Sequence, residues 1–305
     1  MTTMTGGFHA GERAVQARAA LSREAARLEG MLDPALLSEP VAAFLAAQQF
    51  AVLVSTDEED RLWASPLVGP PGFLDGHDQE LRVSARPAAD DPLRTLPADR
   101  AVGLIAMDLQ RRRRFRMNGR VSAVDAAGFT VAATEAYGNC PSYIQQRPLT
   151  LASASGAPRP ALDSGGVLSP AAIEIVRSAD TFFLGTRHPE RGADASHKGG
   201  NPGFVRVVGG ELRWPDYAGN NMFNSLGNLT VDQSAALLFL DFATGAVLQL
   251  SGTAHVEWTA PGPAGSDTAT GRWVRFHPDR ALLRMSGIRS ESSPIRSPKN
   301  PPVLP

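Results

Sequence analysis

Residues 65–73 read SPLVGPPGF and residues 196–204 read SHKGGNPGF. Ser65, Gly69, Pro71, Gly72, Phe73, Leu81 and Arg82 recur as Ser196, Gly200, Pro202, Gly203, Phe204, Leu212 and Arg213, all at a spacing of 131 residues (65 to 196). So many identities at one spacing mark an internal duplication, and a repeat decides the fold before any single motif does. The register then slips by two: Asp108 and Gly119 recur as Asp241 and Gly252, 133 residues on (119 to 252), which implies a small insertion between strands. Each copy reads as a strand, a Gly-Pro turn, a hairpin, a connecting segment and two closing strands. An all-antiparallel unit of this size with a helix against it closes its edges as a small barrel. Gly72 and Gly203 suit turn conformations, and Phe73 and Phe204 read as core.

Outward from the repeat, short β-type runs fill both copies. They are FAVLVST, ELRVSA, AVGLIAMD, FRMNGRVSAV and FTVAAT in the first, and TFFLGT, GFVRVVGG, ELRWPD, AALLFLDF and VLQLSGTAHVEW in the second. The spacing predicts N-terminal helices over 1–48, broken near Asp33-Pro34 and Glu39-Pro40. A first barrel over 49–150 follows, then a Pro/Gly/Ser-rich connector over 151–170. A second barrel over 171–290 opens with a helix at about Pro170 to Arg177, and a flexible Ser/Pro-rich tail covers 291–305. The fold class is mainly β with flanking helices.

Hydrophobic residues at 43% and charged ones at 20% suit a globular protein with a sizeable core. A net charge of −1 supplies no field to hold a polyanion, so nucleic acid is not the expected partner. A single cysteine, Cys140, excludes an internal disulfide and clustered-thiol metal sites, and no apolar run suits a signal peptide or a membrane span. A soluble, cytoplasmic protein without a metal centre is expected.

The two copies differ where chemistry is expected. Pro66 and Leu67 of copy one become His197 and Lys198 in copy two, followed by Gly199-Gly200, which lets an anion approach the backbone. Copy two also carries PDYAGNNMFNSLGNL, in which Asn220 or Asn221 suits a helix N-cap and Asn224, Ser225 and Asn228 fall on adjacent turns. Backbone N–H groups at a helix start, with Lys198 nearby, favour a phosphate. Gln249 either reaches a ligand's amide-like edge or lies on a strand surface, and His255 reads as structural. Cys140 reads as a buried, unreactive thiol, and the run Arg111 to Arg114 with Arg116 as a solvated hairpin tip. No GxGxxG fingerprint for a dinucleotide appears.

SHKGGNPGFV, PDYAGNNMFNSLGN, LLFLDFATG and EAYGNCPSYI resemble motifs of tandem proteins of the pyridoxamine 5′-phosphate oxidase-related, FMN-binding split-barrel family, over roughly residues 40–290. The resemblance implies FMN at the seam between two split barrels. Its phosphate would lie near His197, Lys198, Gly199 and the helix start at Asn220, Asn221, Asn224 and Ser225, and its ring against Trp214, Pro215 and Asp216. Gln249 would meet the pyrimidine edge. The chain departs from that pattern with Lys198 where Arg is commoner and Ser142 where Lys is usual, and it lacks the phosphate clamp expected for a pyridoxamine phosphate substrate.

The resulting expectation is an FMN-dependent oxidoreductase acting on an unidentified small molecule with an external electron donor, working as a homodimer. No acid or base stands out; Tyr217 and His197 are candidates for proton transfer. The alternatives are a non-catalytic flavin- or haem-binding or sensing protein and a deazaflavin-dependent reductase.

Overall fold

The computed structural model describes residues 7–32, 35–151, 162–163 and 165–303. The expected break at Asp33-Pro34 and most of the connector lie outside these. Three helices precede the first sheet: α1 (Ala10–Arg18), α2 (Ser22–Ala26) and α3 (Glu39–Ala46). Glu39-Pro40 does not break a helix, as expected, but opens α3. Proline suits a first turn, where its missing N–H has no intrahelical partner anyway.

The first barrel comprises β1 (Phe50–Thr56), β2 (Leu62–Val68), β3 (Leu74–His77), β4 (Glu80–Val83), β5 (Ala101–Asp108), β6 (Arg113–Val124) and β7 (Phe129–Gly138). After β8 (Thr150–Leu151), β9 (Leu162–Asp163) and α4 (Pro170–Ser178), the pattern repeats. It runs through β10 (Thr181–His188), β11 (Gly192–Gly199), β12 (Arg206–Val208), β13 (Glu211–Pro215), α5 (Asn224–Val231), β14 (Ser234–Asp241), β15 (Ala246–Trp258) and β16 (Arg272–Met285), and β17 (Ile288–Arg289) follows. The sheets share one strand order, β2-β1-β5-β6-β7-β4-β3 and β11-β10-β14-β15-β16-β13-β12, with antiparallel pairings throughout. These are two tandem split barrels, and α5 has no helical counterpart in the first.

The repeated glycines act alike in both copies. The register shifts after Asn118 in β6 and after Ser251 in β15, so Gly119 and Gly252 sit at equivalent bulges. A Cβ would fall 2.2 Å from Ala132 O at Gly119 and 2.0 Å from His277 O at Gly252, so only glycine fits. Gly72 (φ 92°) and Gly203 (φ 87°) adopt left-handed turns, and their N–H groups donate to Ala46 O and Arg177 O, tying each turn to the end of its barrel's helix.

Phe73 and Phe204 lie in the two barrel cores. A third core fills the seam. Along β1, Ala51 and Leu53 enter the first barrel while Phe50, Val52 and Val54 face the second. Along β10, Phe182 and Leu184 turn inward while Phe183 meets the seam. Burial on both faces explains why these strands read as continuous apolar runs rather than alternating ones.

The tail expected to be flexible is instead strapped down as far as residue 303. Gln146 and Ile295 exchange backbone hydrogen bonds, Arg112 donates to Ile295 O and Arg296 O, and Asn201 Nδ2 donates to Pro301 O. Among the described residues, no helix is long and apolar enough to cross a membrane, and no group of His, Cys, Asp and Glu is arranged to hold a metal ion.

Candidate functional site

The seam contains a recess of about 120 Å³. Copy two supplies one wall: His197, Lys198 and Gly199 at the end of β11, Pro215 to Tyr217 at the end of β13, the turn at Asn220 and Asn221, and Asn224 and Ser225 at the start of α5. Copy one supplies the other, with Arg114 and Arg116 from β6 and Asn139 and Tyr143 beyond β7.

His197 is buried, and its Nδ1 lies 2.7 Å from Arg114 Nη1. Arginine is always a donor, so Nδ1 must accept and the ring proton sits on Nε2, which has no protein partner. Burial, reinforced by Arg114, Lys198 and Arg147, holds the imidazole pKa well below its ordinary value. His197 is therefore a neutral donor aimed by a residue of the other barrel. Burial, with Arg116 adding like-charge repulsion, pulls Arg114 down to about 10, which leaves it a cation at neutral pH; its Nε is also unpartnered.

Lys198 Nζ lies 3.6 Å from Asp216 Oδ1. Burial draws its pKa below the usual lysine range, only partly offset by Asp216. The other oxygen of Asp216 accepts from Arg272 Nε at 2.9 Å. Arg116 is consumed by Asp194, to which Asn118 Nδ2 also donates at 3.2 Å; burial pulls the Arg116 pKa down, but Asp194 more than offsets it. The lining of the recess thus carries three cationic side chains, Arg114, Arg116 and Lys198, against one carboxylate, Asp216, and is electropositive.

At the mouth, Tyr143 is held at φ 65° and its hydroxyl donates to Ala218 O at 2.7 Å. Its ring centroid lies 5.1 Å from that of Tyr217. A Cβ on Gly199 would meet Tyr143 O at 2.0 Å, so glycine there lets copy one roof the recess. The buried Tyr217 hydroxyl has no partner, and burial raises its pKa, keeping it a donor.

Behind this wall, α1 packs on α5. Glu12 Oε1 accepts from Asn224 Nδ2 at 2.5 Å, and Glu12 Oε2 from His9 N at 2.8 Å. Burial pushes the Glu12 carboxyl up to about 7.

The recess thus gathers His197, Lys198, Gly199, Pro215, Asp216, Asn220, Asn221, Asn224 and Ser225. Two expected residues lie elsewhere. Trp214 is fully buried in the second barrel, edge-on to Phe182 at 5.1 Å, because alternation on β13 turns it inward. Gln249 is fully buried and donates to Ala64 O, Ser65 Oγ and Asp91 Oδ2 of copy one, so it joins the barrels outside the recess. The N-cap of α5 is neither Asn220 nor Asn221 but Phe223, in a left-handed conformation, while Asn220 Oδ1 accepts from Met222 N. His255 is exposed on β15, with Nε2 3.9 Å from Glu257.

The arginine run divides. Arg111 is exposed, Arg112 straps the tail, and Arg114 and Arg116, two apart on one strand face, enter the recess. Cys140, expected to be buried, is exposed with Sγ 2.9 Å from Ser142 Oγ. Its residual burial raises the thiol pKa, but Ser142, Lys299 and Arg114 outweigh that and lower it. Arg114, Arg116, Asn139 and Tyr143 were missed as site residues. The available signal was the contrast of Arg114 and Arg116 with Val247 and Gln249 at the 133-residue spacing.

Residues 37–160 match the family described as pyridoxamine 5′-phosphate oxidase. No curated protein matches the chain in sequence. Among solved structures, similarity extends to HupZ of Group A Streptococcus, with 10% identity over 41% of this chain and 99% of that one at a TM-score of 0.31. An FAD binding protein from Mycobacterium smegmatis shows 12% identity over 39% and 98% at 0.28. A Clostridium acetobutylicum protein of the pyridoxinephosphate oxidase family, related to general stress protein 26 of B. subtilis, shows 18% over 37% and 84% at 0.26. Residues 37–160, which include the first barrel, are thus similar to the pyridoxamine 5′-phosphate oxidase family, and the second barrel repeats the first one's strand order.

Proposed function

We propose that the recess holds FMN by its phosphate and that the chain is an FMN-dependent oxidoreductase acting on a small molecule. One observation carries this reading: unpartnered donors from both barrels, His197 Nε2, Arg114 Nε and Tyr217 Oη, converge on a small electropositive recess. Buried polar groups are rarely left without partners, so an acceptor-rich, anionic group suits this one. FMN, when bound, supplies the capacity for two-electron transfer. Arg114 and Lys198 offset the phosphate charge, and Arg114 keeps His197 in the tautomer that donates from Nε2. Asn139 Nδ2, also buried without a partner, adds a further donor.

His197 holds no exchangeable charge at neutral pH and the Tyr217 hydroxyl stays protonated, so both serve as hydrogen-bond donors rather than as bases. At about 120 Å³ the recess is smaller than the roughly 300–1,000 Å³ of whole-ligand pockets. It suits the anionic end of a flavin nucleotide, with the rest toward the mouth, where Tyr143 and Tyr217 limit access by water.

The absorbance spectrum of the purified chain, before and after incubation with FMN and desalting, tests the reading. Retained flavin bands that bleach with an anaerobic reductant and return with an acceptor support it. A haem Soret band, or no chromophore retained, refutes it. Because one chain supplies both walls, the expected homodimer is not needed to complete the site, and light scattering reads its presence.

A further inference from the structure

The internal repeat gives the strands that line the recess a set of mates, although α5 has none. At the established spacings, Arg114 and Arg116 map onto Val247 and Gln249, and His197 and Lys198 onto Pro66 and Leu67. The register of the last two strands sets Gly138 against Phe115 and Leu283 against Leu248, so Asn139 maps onto Arg284, 145 residues on (139 to 284). The mate positions come together at the opposite side of the seam, built from copy one's β2 and copy two's β15 and β16.

There the Gln249 amide and the Arg284 terminal nitrogens are already spent on protein acceptors, and Arg284 Nε alone of their donors is left without one. Gln249 Nε2 donates to Ala64 O at 3.0 Å, Ser65 Oγ at 3.0 Å and Asp91 Oδ2 at 3.1 Å. Arg284 pairs with Asp91 and, at 3.2 Å, with Asp90. The Asp91 carboxylate is wholly buried and also accepts from Ser65 Oγ at 2.6 Å and Leu93 N at 2.8 Å. The cleft beside it is bordered by Pro66, Val68, Leu151 and Met285, and its two arginines are engaged within the chain, Arg284 with Asp90 and Asp91 and Arg86 with Asp125 O. We infer that the chain carries one anion-binding cofactor site, and that its pseudo-symmetric mate is an inter-barrel lock in which Asp91 supplies the anion internally. Only the identity of the ligand rests on the FMN reading.

The test pairs calorimetric titration of the full-length chain with FMN and urea unfolding of Arg284→Met, Asp91→Asn and the double variant. One FMN per chain is expected, with affinity unchanged within twofold in each lock variant that folds. Removing either partner leaves the other buried without its charge, so the double variant should lower the urea midpoint by less than the two single shifts combined. Two FMN per chain, or an affinity loss in Arg284→Met as large as in Lys198→Ala, overturns the inference. If no FMN binds, the flavin reading falls and unfolding alone decides: strictly additive midpoints overturn the lock, and non-additive ones support it.

Discussion

Replacing Lys198 by alanine separates a phosphate contact from a structural one. Its Nζ lies 3.6 Å from Asp216, beyond an ideal hydrogen bond, and 22% of the side chain is exposed. Asp216 keeps Arg272 at 2.9 Å when Lys198 is removed, so no carboxylate is stranded and the fold should tolerate the change. The lost interaction with a phosphate is a charge-assisted one of about 1.5–3 kcal/mol, and partial exposure places it toward the lower end. That corresponds to roughly a 10- to 100-fold weaker Kd. Fluorescence titration should show this loss for FMN and almost none for riboflavin, which lacks the phosphate. Equal losses for the two ligands would refute the phosphate assignment and leave Lys198 a role at the ring or in the barrel.

Arg112→Ala, which removes donors to Ile144 O, Ile295 O and Arg296 O, should lower urea stability by about 1 kcal/mol and leave FMN affinity unchanged. Glu12 is protonated more readily in the folded chain, at about 7 against 4.5. Its contribution is therefore intact below 4.5 and is lost as pH rises toward 7, by about 3 kcal/mol. Glu12→Gln should abolish this loss in urea unfolding measured across that window, and an unchanged pH profile would show that Glu12 titrates normally. Gly252→Ala should destabilise the second barrel by more than about 2 kcal/mol, read as a lower thermal midpoint, because the backbone at His277 must move.

The repeat made the fold legible because identical residues perform identical backbone tasks, as the paired bulges at Gly119 and Gly252 show. Among the strands that escaped notice, β2, β11 and β16 did so for physical reasons. β2 and β11 pack small or polar residues such as Ser65 and Ala195 into close inter-barrel contacts, which dulls their hydrophobic signal. β16 carries His277-Pro278-Asp279, which reads as a turn, but Pro278 lies opposite Gly252 at the bulge, a place where strands accommodate proline. The copy-two half of the recess was legible from the change of Pro66-Leu67 to His197-Lys198. The copy-one half was not, because a seam depends on how two barrels are rotated together, and an arginine-rich strand end looks the same whether it meets water or a partner. Gln249 failed for the same reason: its environment is set by Asp91 and Ser65, far away in the chain.

A crystal structure of the full chain with FMN tests the shared-site account most directly. The phosphate is predicted within hydrogen-bonding distance of His197 Nε2 and Lys198 Nζ from one barrel and the Arg114 guanidinium from the other. A phosphate bound elsewhere, or held by residues of a single barrel, would contradict it.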